Sequence, residues 1–361
     1  MRFHADRGCL VAMLLGIIAA PSMAATIAPS PALQQIVAGA KQEGALTLSY
    51  GDAILGGSRG AQVAAAGIKA MFGVDLRVSF HPGPSFAPMA SRLYTEMEAG
   101  QKASTDVYNA TAVEIYPYLE RGLFRSIPWT SLYPGRITPT ISEAGGRALR
   151  VVTATPGILY NKRVGADFAQ VAVMSDLLKP AYKGRLDTEP YLAGFDVLVA
   201  SGVWGYAKTA AFVHALSPQV AGLVRCGATE QVASGEIPSL AMDCGGGQQN
   251  LPKYGGVLGH TIFRDAAMRR FNYLCIPTNA EHPDAGILFA LYVSSPEGQR
   301  QIQYSLYGTD LDTYPDARSH ATTAALEQQG VKFQDVTLSW WGSHAEIDND
   351  LKKLIKIITR Q

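Results

Sequence analysis

The stretch from Val74 to Thr111 constrains the fold more than any other part of the chain, because it predicts a strand, a turn, a helix and a second strand in close succession. Val74 to Phe80 alternates in polarity as a strand does. The prolines of His81-Pro-Gly-Pro end that strand, since proline has no N–H for a sheet. Ser85 is placed to cap the helix that follows. Such a unit puts a helix N-terminus and its free amides at the carboxyl edge of a sheet, where small molecules bind.

Local pairings within this stretch support the predicted helix. Apolar residues recur at helical spacing and form one stripe: Phe86, Met89, Leu93 and Met97. Arg92 and Glu96 stand four residues apart and are expected to pair on the solvent face. Gly100 is expected to end the helix in a left-handed conformation. Strand character then returns from Thr105 to Tyr108.

Strands and helices alternate along the rest of the chain, which predicts an α/β fold. A length of 361 residues with 47% hydrophobic residues allows a large core and suggests two domains. The net charge of +1 gives no indication of nucleic-acid binding. We expect a mainly helical segment from Phe195 to Leu216 and a buried strand from Ile237 to Met242. An amphipathic helix from Glu346 to Thr359 is expected to pack on the body, with a membrane-surface helix as the alternative.

The N-terminus has the pattern of a cleaved signal peptide spanning residues 1–25. Arg2 and Arg7 form a basic region, Leu10 to Ala20 is apolar, and Ser22-Met-Ala24 is a cleavage site with small residues. An uncleaved anchor is the alternative, although the apolar run is short for a membrane span. The mature protein is therefore expected to be exported.

Three cysteines remain in the mature chain, at positions 226, 244 and 275. In an oxidising compartment they allow one disulfide and one leftover thiol, and the sequence does not decide which pair forms. Their spacing matches no zinc motif, so no metal site is predicted.

Segments spread over nearly the whole mature chain resemble a known family. They include Gly157-Ile-Leu-Tyr-Asn-Lys162 and Ser294-Ser-Pro-Glu-Gly-Gln299, together with the opening helix and strand at 40–51 and the unit at 92–107. In this order they resemble the periplasmic solute-binding proteins of ABC importers with the type II fold, in the group that includes the ferric-iron receptors.

The resemblance implies two α/β lobes joined by hinge strands, with residues 26–127 and 272–325 in lobe 1 and residues 128–271 and 326–361 in lobe 2. The lobes would close on a small solute without any chemistry or cofactor. The protein would act as a periplasmic monomer that delivers the solute to an ABC permease in the inner membrane.

Two departures from the iron-binding branch argue against direct iron capture. Adjacent tyrosines follow the late strand in that branch, whereas Asp243-Cys244-Gly245 stands there in this chain. A histidine often follows the first strand in that branch, whereas this chain has Gly51-Asp52. Asp52 and Asp243 remain suited to a hydrated cation, an ammonium group or a hydroxyl group.

Loops at strand ends carry the candidate ligand-binding residues: Gly51, Asp52, Ser58, Ser85, Asn109 and Thr111 in lobe 1, and Tyr160, Tyr191, Asp243 and Gly245 in lobe 2. Hydroxyl and amide groups would donate or accept hydrogen bonds, tyrosines would form an aromatic wall, and glycines would let the backbone approach. Structural roles compete with these interpretations, since Ser85 suits a helix cap and Tyr160 suits the core. Asp243 lies among glycines and is expected to face the cleft.

Two further function classes remain as alternatives. Gly83-Pro-Ser85-Phe-Ala87 loosely matches the nucleophile elbow of an exported serine hydrolase, with His282, His320 or His344 as the partner base. The third class is a periplasmic adaptor that binds no free ligand.

Overall fold

The computed structural model describes residues 30–51, 54–83, 85–245, 247–306 and 310–360, so the predicted signal peptide at 1–25 lies outside the described residues. Strands in the described part are β1 Ala45–Tyr50, β2 Arg77–Pro82, β3 Tyr108–Thr111, β4 Ser142–Glu143, β5 Ala148–Ala154, β6 Ile158–Asn161, β7 Leu186–Thr188, β8 Val220–Leu223, β9 Ser239–Ala241, β10 Leu258–Thr261, β11 Met268–Cys275 and β12 Gln334–Val336. Helices there are α1 Pro31–Glu43, α2 Gly57–Phe72, α3 Phe86–Glu98, α4 Ala112–Leu119, α5 Trp129–Leu132, α6 Phe195–Leu198, α7 Tyr206–Leu216, α8 Thr229–Ser234, α9 Gly247–Asn250, α10 Pro283–Ser294, α11 Pro296–Leu306, α12 Arg318–Gln328, α13 Leu338–Gly342 and α14 Ile347–Ile358.

The first layer of strands is built around β11. This strand pairs antiparallel with β3 and β5 and parallel with β12. Strands β1 and β2 pair parallel, with Ala45 opposite Arg77, and a bridge from Leu48 to Val107 links β1 to the segment before β3. Helices α1, α2 and α10 share a buried apolar core with β1.

The second layer is a sheet with the strand order β10-β6-β9-β7-β8. The chain passes from the first layer to the second between β5 and β6, across residues 155–157, and returns between β10 and β11, across residues 262–267. These two connections confirm an α/β fold with separate sheets joined by crossing segments. The residue bounds given above for the two lobes stay a prediction.

Most local signals near Ser85 are found in the structure. Arg92 and Glu96 pair at 2.8 Å, and Gly100 adopts a φ of 66° after α3. Ser85 occupies the N-cap position of α3, but its side chain makes no capping hydrogen bond.

The strand expected at residues 105–108 instead spans Tyr108–Thr111. Two side chains of this segment accept hydrogen bonds from the backbone of β1. The hydroxyl group of Thr105 accepts from the N–H of Ser49 at 3.1 Å, and the carboxylate of Asp106 accepts from the N–H of Thr47 at 2.7 Å. The hydrogen bonds of this segment are therefore partly made by side chains before the regular ladder with β11 begins.

The helical segment expected from Phe195 to Leu216 is interrupted between α6 and α7. Gly202 and Gly205 adopt φ values of 87° and 77° there, which a continuous helix does not allow. The predicted C-terminal helix is α14, which packs against α6 and α7 and buries Leu354 and Ile358. Within the described residues, no helix combines the length and the apolar character that crossing a membrane requires.

Candidate functional site

A cluster of charged side chains lies around Arg270 of β11, on the strand about which the first sheet is built. Arg270 of β11 donates to Asp196 of α6 at 2.6 Å, and both side chains are largely buried. Glu114 of α4 and Glu189, which follows β7, also act electrostatically on Arg270. Burial opposes the charged guanidinium, yet the pKa of Arg270 is raised because these three carboxyl groups surround it. The cluster thus joins groups that follow strands of the first and the second sheet.

Glu189 is the most confined carboxyl group of this cluster, with only 1% of the residue exposed. Its Oε1 lies 3.3 Å from the sulfur of Cys226 and 2.5 Å from the sulfur of Cys244, while its Oε2 has no hydrogen-bond partner. Burial raises the pKa of Glu189 from 4.5 to about 9, the negative charge of Asp243 adds to the rise, and Arg270 opposes it. The carboxyl group is therefore protonated at neutral pH unless a cation approaches it.

Cys226 and Cys244 form a disulfide with their Cα atoms 6.0 Å apart. This settles the pairing that the sequence left open, and Cys275 is the buried free cysteine. The bridge ties the segment after β8 to the segment after β9 at one edge of the second sheet. In the described residues, Glu189 and these two cysteines form a group whose possible metal-ligand atoms lie within 4.8 Å of one another. Because the two sulfurs are bonded to each other, they offer no thiolate to a metal.

Glu114 begins α4 on the side of the first sheet. Its Oε2 accepts the hydroxyl group of Thr111 at 2.7 Å and the backbone N–H of Thr111 at 3.2 Å. Burial raises the pKa of Glu114, whereas the hydrogen bond from Thr111 and the positive charge of Arg270 lower it. Thr111, a predicted ligand-binding residue, thus positions a carboxylate of the cluster.

Asp243 is 5% exposed, and its carboxylate is already occupied. Its oxygens accept the backbone N–H groups of Gly157 at 3.0 Å and Gly247 at 2.7 Å, and Oδ1 lies 3.2 Å from Nε2 of His260. These contacts hold the turn after β9 against the connection from β5 to β6. Asp243 as a ligand-binding residue stays a prediction, and its observed contacts are structural.

Gly245 packs directly against the connection from β5 to β6. It has a φ of 81°, and a Cβ there would lie 2.7 Å from Cβ of Ala154 and 2.8 Å from N of Thr155. Close backbone approach therefore requires glycine at this position. Gln248 of the adjacent α9 accepts the hydroxyl group of Thr155 at 2.9 Å.

The other predicted residues of the first lobe are dispersed. Gly51 is partly buried at the end of β1, while Ser58 and Ser85 are exposed near the starts of α2 and α3. Asn109 is buried within β3, donates to the carbonyl oxygen of Tyr273 at 3.1 Å and accepts from Asn272 at 3.4 Å. Asp52 lies outside the described residues.

The two predicted tyrosines differ in exposure. Tyr160 is 7% exposed in the core, where Gly259 leaves room for its ring. Tyr191 is 39% exposed, and its hydroxyl group accepts the backbone N–H of Cys226 at 2.5 Å. Tyr191 therefore stands at the surface beside the disulfide and Glu189.

Sequence reasoning missed four members of the charged cluster: Glu114, Glu189, Asp196 and Arg270. A signal existed for two of them, because Glu189 directly follows a strand and Arg270 interrupts an apolar one. No local pattern brings these residues together, since the pairing of Arg270 with Asp196 spans 74 positions.

The histidines proposed as hydrolase bases have other partners. Nδ1 of His282 lies 2.9 Å from Asp106, Nδ1 of His320 lies 2.7 Å from the carbonyl oxygen of Asp312, and Nδ1 of His344 lies 2.7 Å from that of Trp340. The geometry gives no support to a serine hydrolase centred on Ser85.

No protein-family model and no curated protein sequence matches the chain. Solved structures do match. A substrate-binding protein of an ABC transporter from Agrobacterium tumefaciens has a TM-score of 0.65 at 14% identity, covering 87% of this chain and 94% of that one. Iron-bound HitA from Pseudomonas aeruginosa has a TM-score of 0.63 at 16% identity, covering 86% and 99%.

A third similar structure is the spermidine/putrescine substrate-binding protein PotD from Streptococcus pneumoniae, in complex with calcium and HEPES. It has a TM-score of 0.60 at 14% identity and covers 86% of this chain and 99% of that one. Identities this low establish the fold and leave the ligand open. The chain therefore has the type II fold of periplasmic substrate-binding proteins.

Proposed function

We propose that this chain is the periplasmic substrate-binding component of an ABC transporter, which captures a small solute between two lobes and delivers it to an inner-membrane permease. The charged cluster carries the proposal. Glu114 lies on α4 after β3 of the first sheet, Glu189 and Asp196 follow β7 of the second sheet, and Arg270 lies on β11 of the first sheet. A solute held there would touch both lobes.

The mechanism is capture without bond making or breaking. A solute that contacts groups of both lobes gains those contacts only when the lobes are closed, so it shifts the population toward the closed form. A differential affinity of about 5.5 kcal/mol is enough to convert a 1:99 balance into 99:1. The protein works as a monomer exported by its signal peptide, and it needs no cofactor and no nucleic acid.

A thermal-shift screen of the mature protein tests this function. The panel contains an organic acid, a phosphate ester, a phosphonate, a polyamine, a sugar derivative and Fe(III). A bound solute stabilises the folded state and is expected to raise the melting temperature, because it binds the folded protein and not the unfolded chain.

Fe(III) is the expected negative of the screen, since Asp243 and Cys244 stand where the iron-binding branch has tyrosines. Stabilisation by Fe(III) alone would show that this interpretation of the missing tyrosines is wrong. If no compound of the panel raises the melting temperature, the ligand-free adaptor is favoured instead.

A further inference from the structure

Three side chains of the kinds that bind metal ions meet at one end of the second sheet. The Oε1 atom of Glu189 lies 3.3 Å from the sulfur of Cys226 and 2.5 Å from the sulfur of Cys244. In the part of the chain that the structure describes, the ligand atoms of these three residues all lie within 4.8 Å of one another. The residues follow three adjacent strands, β8, β7 and β9, so the sheet brings them together.

The oxidation state of the two cysteines decides whether this group can hold a metal ion. While the sulfurs are bonded to each other, neither is a thiolate. Two electrons and two protons from a dithiol convert the bridge into two thiols, and the dithiol itself becomes a disulfide. Cys226 is exposed, so a dithiol can reach its sulfur, whereas Cys244 is half-buried. A metal ion that binds the reduced sulfurs replaces their protons.

The spacing of the two cysteines suits a tetrahedral metal ion. Two thiolates that are bound at about 2.3 Å in a tetrahedron stand about 3.8 Å apart. The Cα atoms of Cys226 and Cys244 are 6.0 Å apart, so rotation of the side chains can open this separation once the bond is broken. Two thiolates with one carboxylate suit Zn²⁺ better than Ca²⁺ or Mg²⁺, which take oxygen ligands.

Glu189 is held in position as a third ligand. Its residue is only 1% exposed, and its carboxyl group accepts the backbone N–H of Ala193. Hydrogen bonds of this kind orient the carboxylate ligands of metal sites. The carboxyl group therefore already faces the sulfurs, and the loop need not rearrange for it to reach a metal ion.

We propose that reduction of the disulfide between Cys226 and Cys244 creates a Zn²⁺ site formed by the two thiolates and the carboxylate of Glu189. The ion then joins the segments after β8 and β9 in place of the disulfide, with the segment after β7 as a third attachment. Water completes the tetrahedron. This inference goes beyond the proposed transport function and does not depend on it.

The test titrates Co²⁺ and then Zn²⁺ into the mature protein, in its oxidised form and after reduction with dithiothreitol, which is removed under argon because it binds zinc. Tetrahedral Co²⁺ with thiolate ligands absorbs strongly in the visible and near ultraviolet, and Zn²⁺ abolishes both bands when it displaces Co²⁺. We expect these bands in the reduced wild type and not in the oxidised protein. Zn²⁺ is expected to raise the melting temperature of the reduced form alone, because it binds that folded state.

Four variants identify the ligands. The variant with both Cys226→Ser and Cys244→Ser is expected to lose the bands. Glu189→Gln is expected to weaken Zn²⁺ binding to the reduced protein about tenfold or more. Two matched controls should behave as the wild type: Cys275→Ala removes the buried free thiol, and Glu120→Gln removes a carboxylate whose side chain is 92% exposed.

Three results overturn the inference: a reduced wild type without the thiolate bands, bands that persist in the double serine variant, or a Zn²⁺ affinity that Glu189→Gln leaves unchanged. The double serine variant keeps the test decisive if Glu189→Gln fails to fold. The transport function is tested separately, by solute binding to the oxidised protein, so failure of the zinc site leaves it standing.

Discussion

Glu189 shows at the scale of one residue how folding changes the chemistry of a side chain. The pKa of Glu189 rises from 4.5 to about 9 because the carboxyl group is buried near Asp243, with Arg270 opposing and Asp196 adding to the rise. The folded protein therefore holds a proton that the unfolded chain has lost at neutral pH. Stability linked to this group is fully present below pH 4.5 and is lost as the pH rises toward about 9.

Replacing Glu189 with glutamine is expected to remove this dependence. The slope of the unfolding free energy attributable to one proton is at most about 1.4 kcal/mol per pH unit. The variant should match the wild type in stability at acidic pH and exceed it increasingly toward alkaline pH. Urea denaturation of both proteins across pH 5–9 measures the difference between their unfolding free energies at each pH. Parallel curves for the two proteins would contradict the buried, protonated state.

At the level of secondary-structure elements, the disulfide joins the segments that follow two strands of the second sheet, on either side of β7. Cys226 follows β8 and Cys244 follows β9, with a separation of 18 residues. Met242 and Cys244 both adopt positive φ values, 54° and 59°, so the turn that the bridge holds is conformationally strained.

Loss of the bridge is expected to destabilise the protein by about 2–4 kcal/mol, because the unfolded chain regains the entropy of an open loop. The measurement is urea denaturation of the wild type and of a variant with both Cys226→Ser and Cys244→Ser, each with and without dithiothreitol. Reductant should lower the stability of the wild type and leave the double variant unchanged. Equal wild-type stability under both conditions would show that the bridge contributes nothing.

The sequence predicted those elements whose signals are local. The pairing of Arg92 with Glu96 and the glycine at position 100 depend on residues within two turns of a helix, and both are found. The break between α6 and α7 was missed because the presence of Gly202 and Gly205 in the sequence does not determine whether the helix continues through them. The charged cluster was missed for a different reason: Arg270 and Asp196 are 74 positions apart and are brought together only by the tertiary structure.

For the molecule as a whole, the segments that connect the two sheets lie close to each other near Gly157 and Thr261. Gly157 lies in the connection from β5 to β6, and Thr261 ends β10, where the return connection begins. Ile158 and Thr261 are paired in the second sheet, and the N–H of Gly157 donates to Asp243 at 3.0 Å. Asp243 is also 3.2 Å from His260 of β10, so one carboxylate contacts the first crossing segment and the strand from which the second departs.

Gly157→Ala is expected to disturb this crossing. A Cβ at position 157 would overlap the carbonyl oxygen of Thr261 and lie 2.9 Å from the ring of His260, so the backbone must shift. Overpacking of this kind costs about 1–3 kcal/mol. Urea denaturation measures the loss, and small-angle X-ray scattering is expected to show a larger radius of gyration, because displaced crossing segments hold the two sheets less closely.

Gly51→Ala is the matched control for this prediction. Gly51 also stands at the end of a strand, but the nearest atom to a Cβ there is Cδ1 of Ile54 at 3.6 Å, an ordinary contact. The unfolding free energy of the Gly51→Ala variant should therefore stay within about 0.5 kcal/mol of that of the wild type. If the two alanine variants unfold at the same urea concentration, the close approach at Gly157 does not constrain the crossing, and the relative placement of the two sheets must depend on other contacts, such as the pair between Arg270 and Asp196.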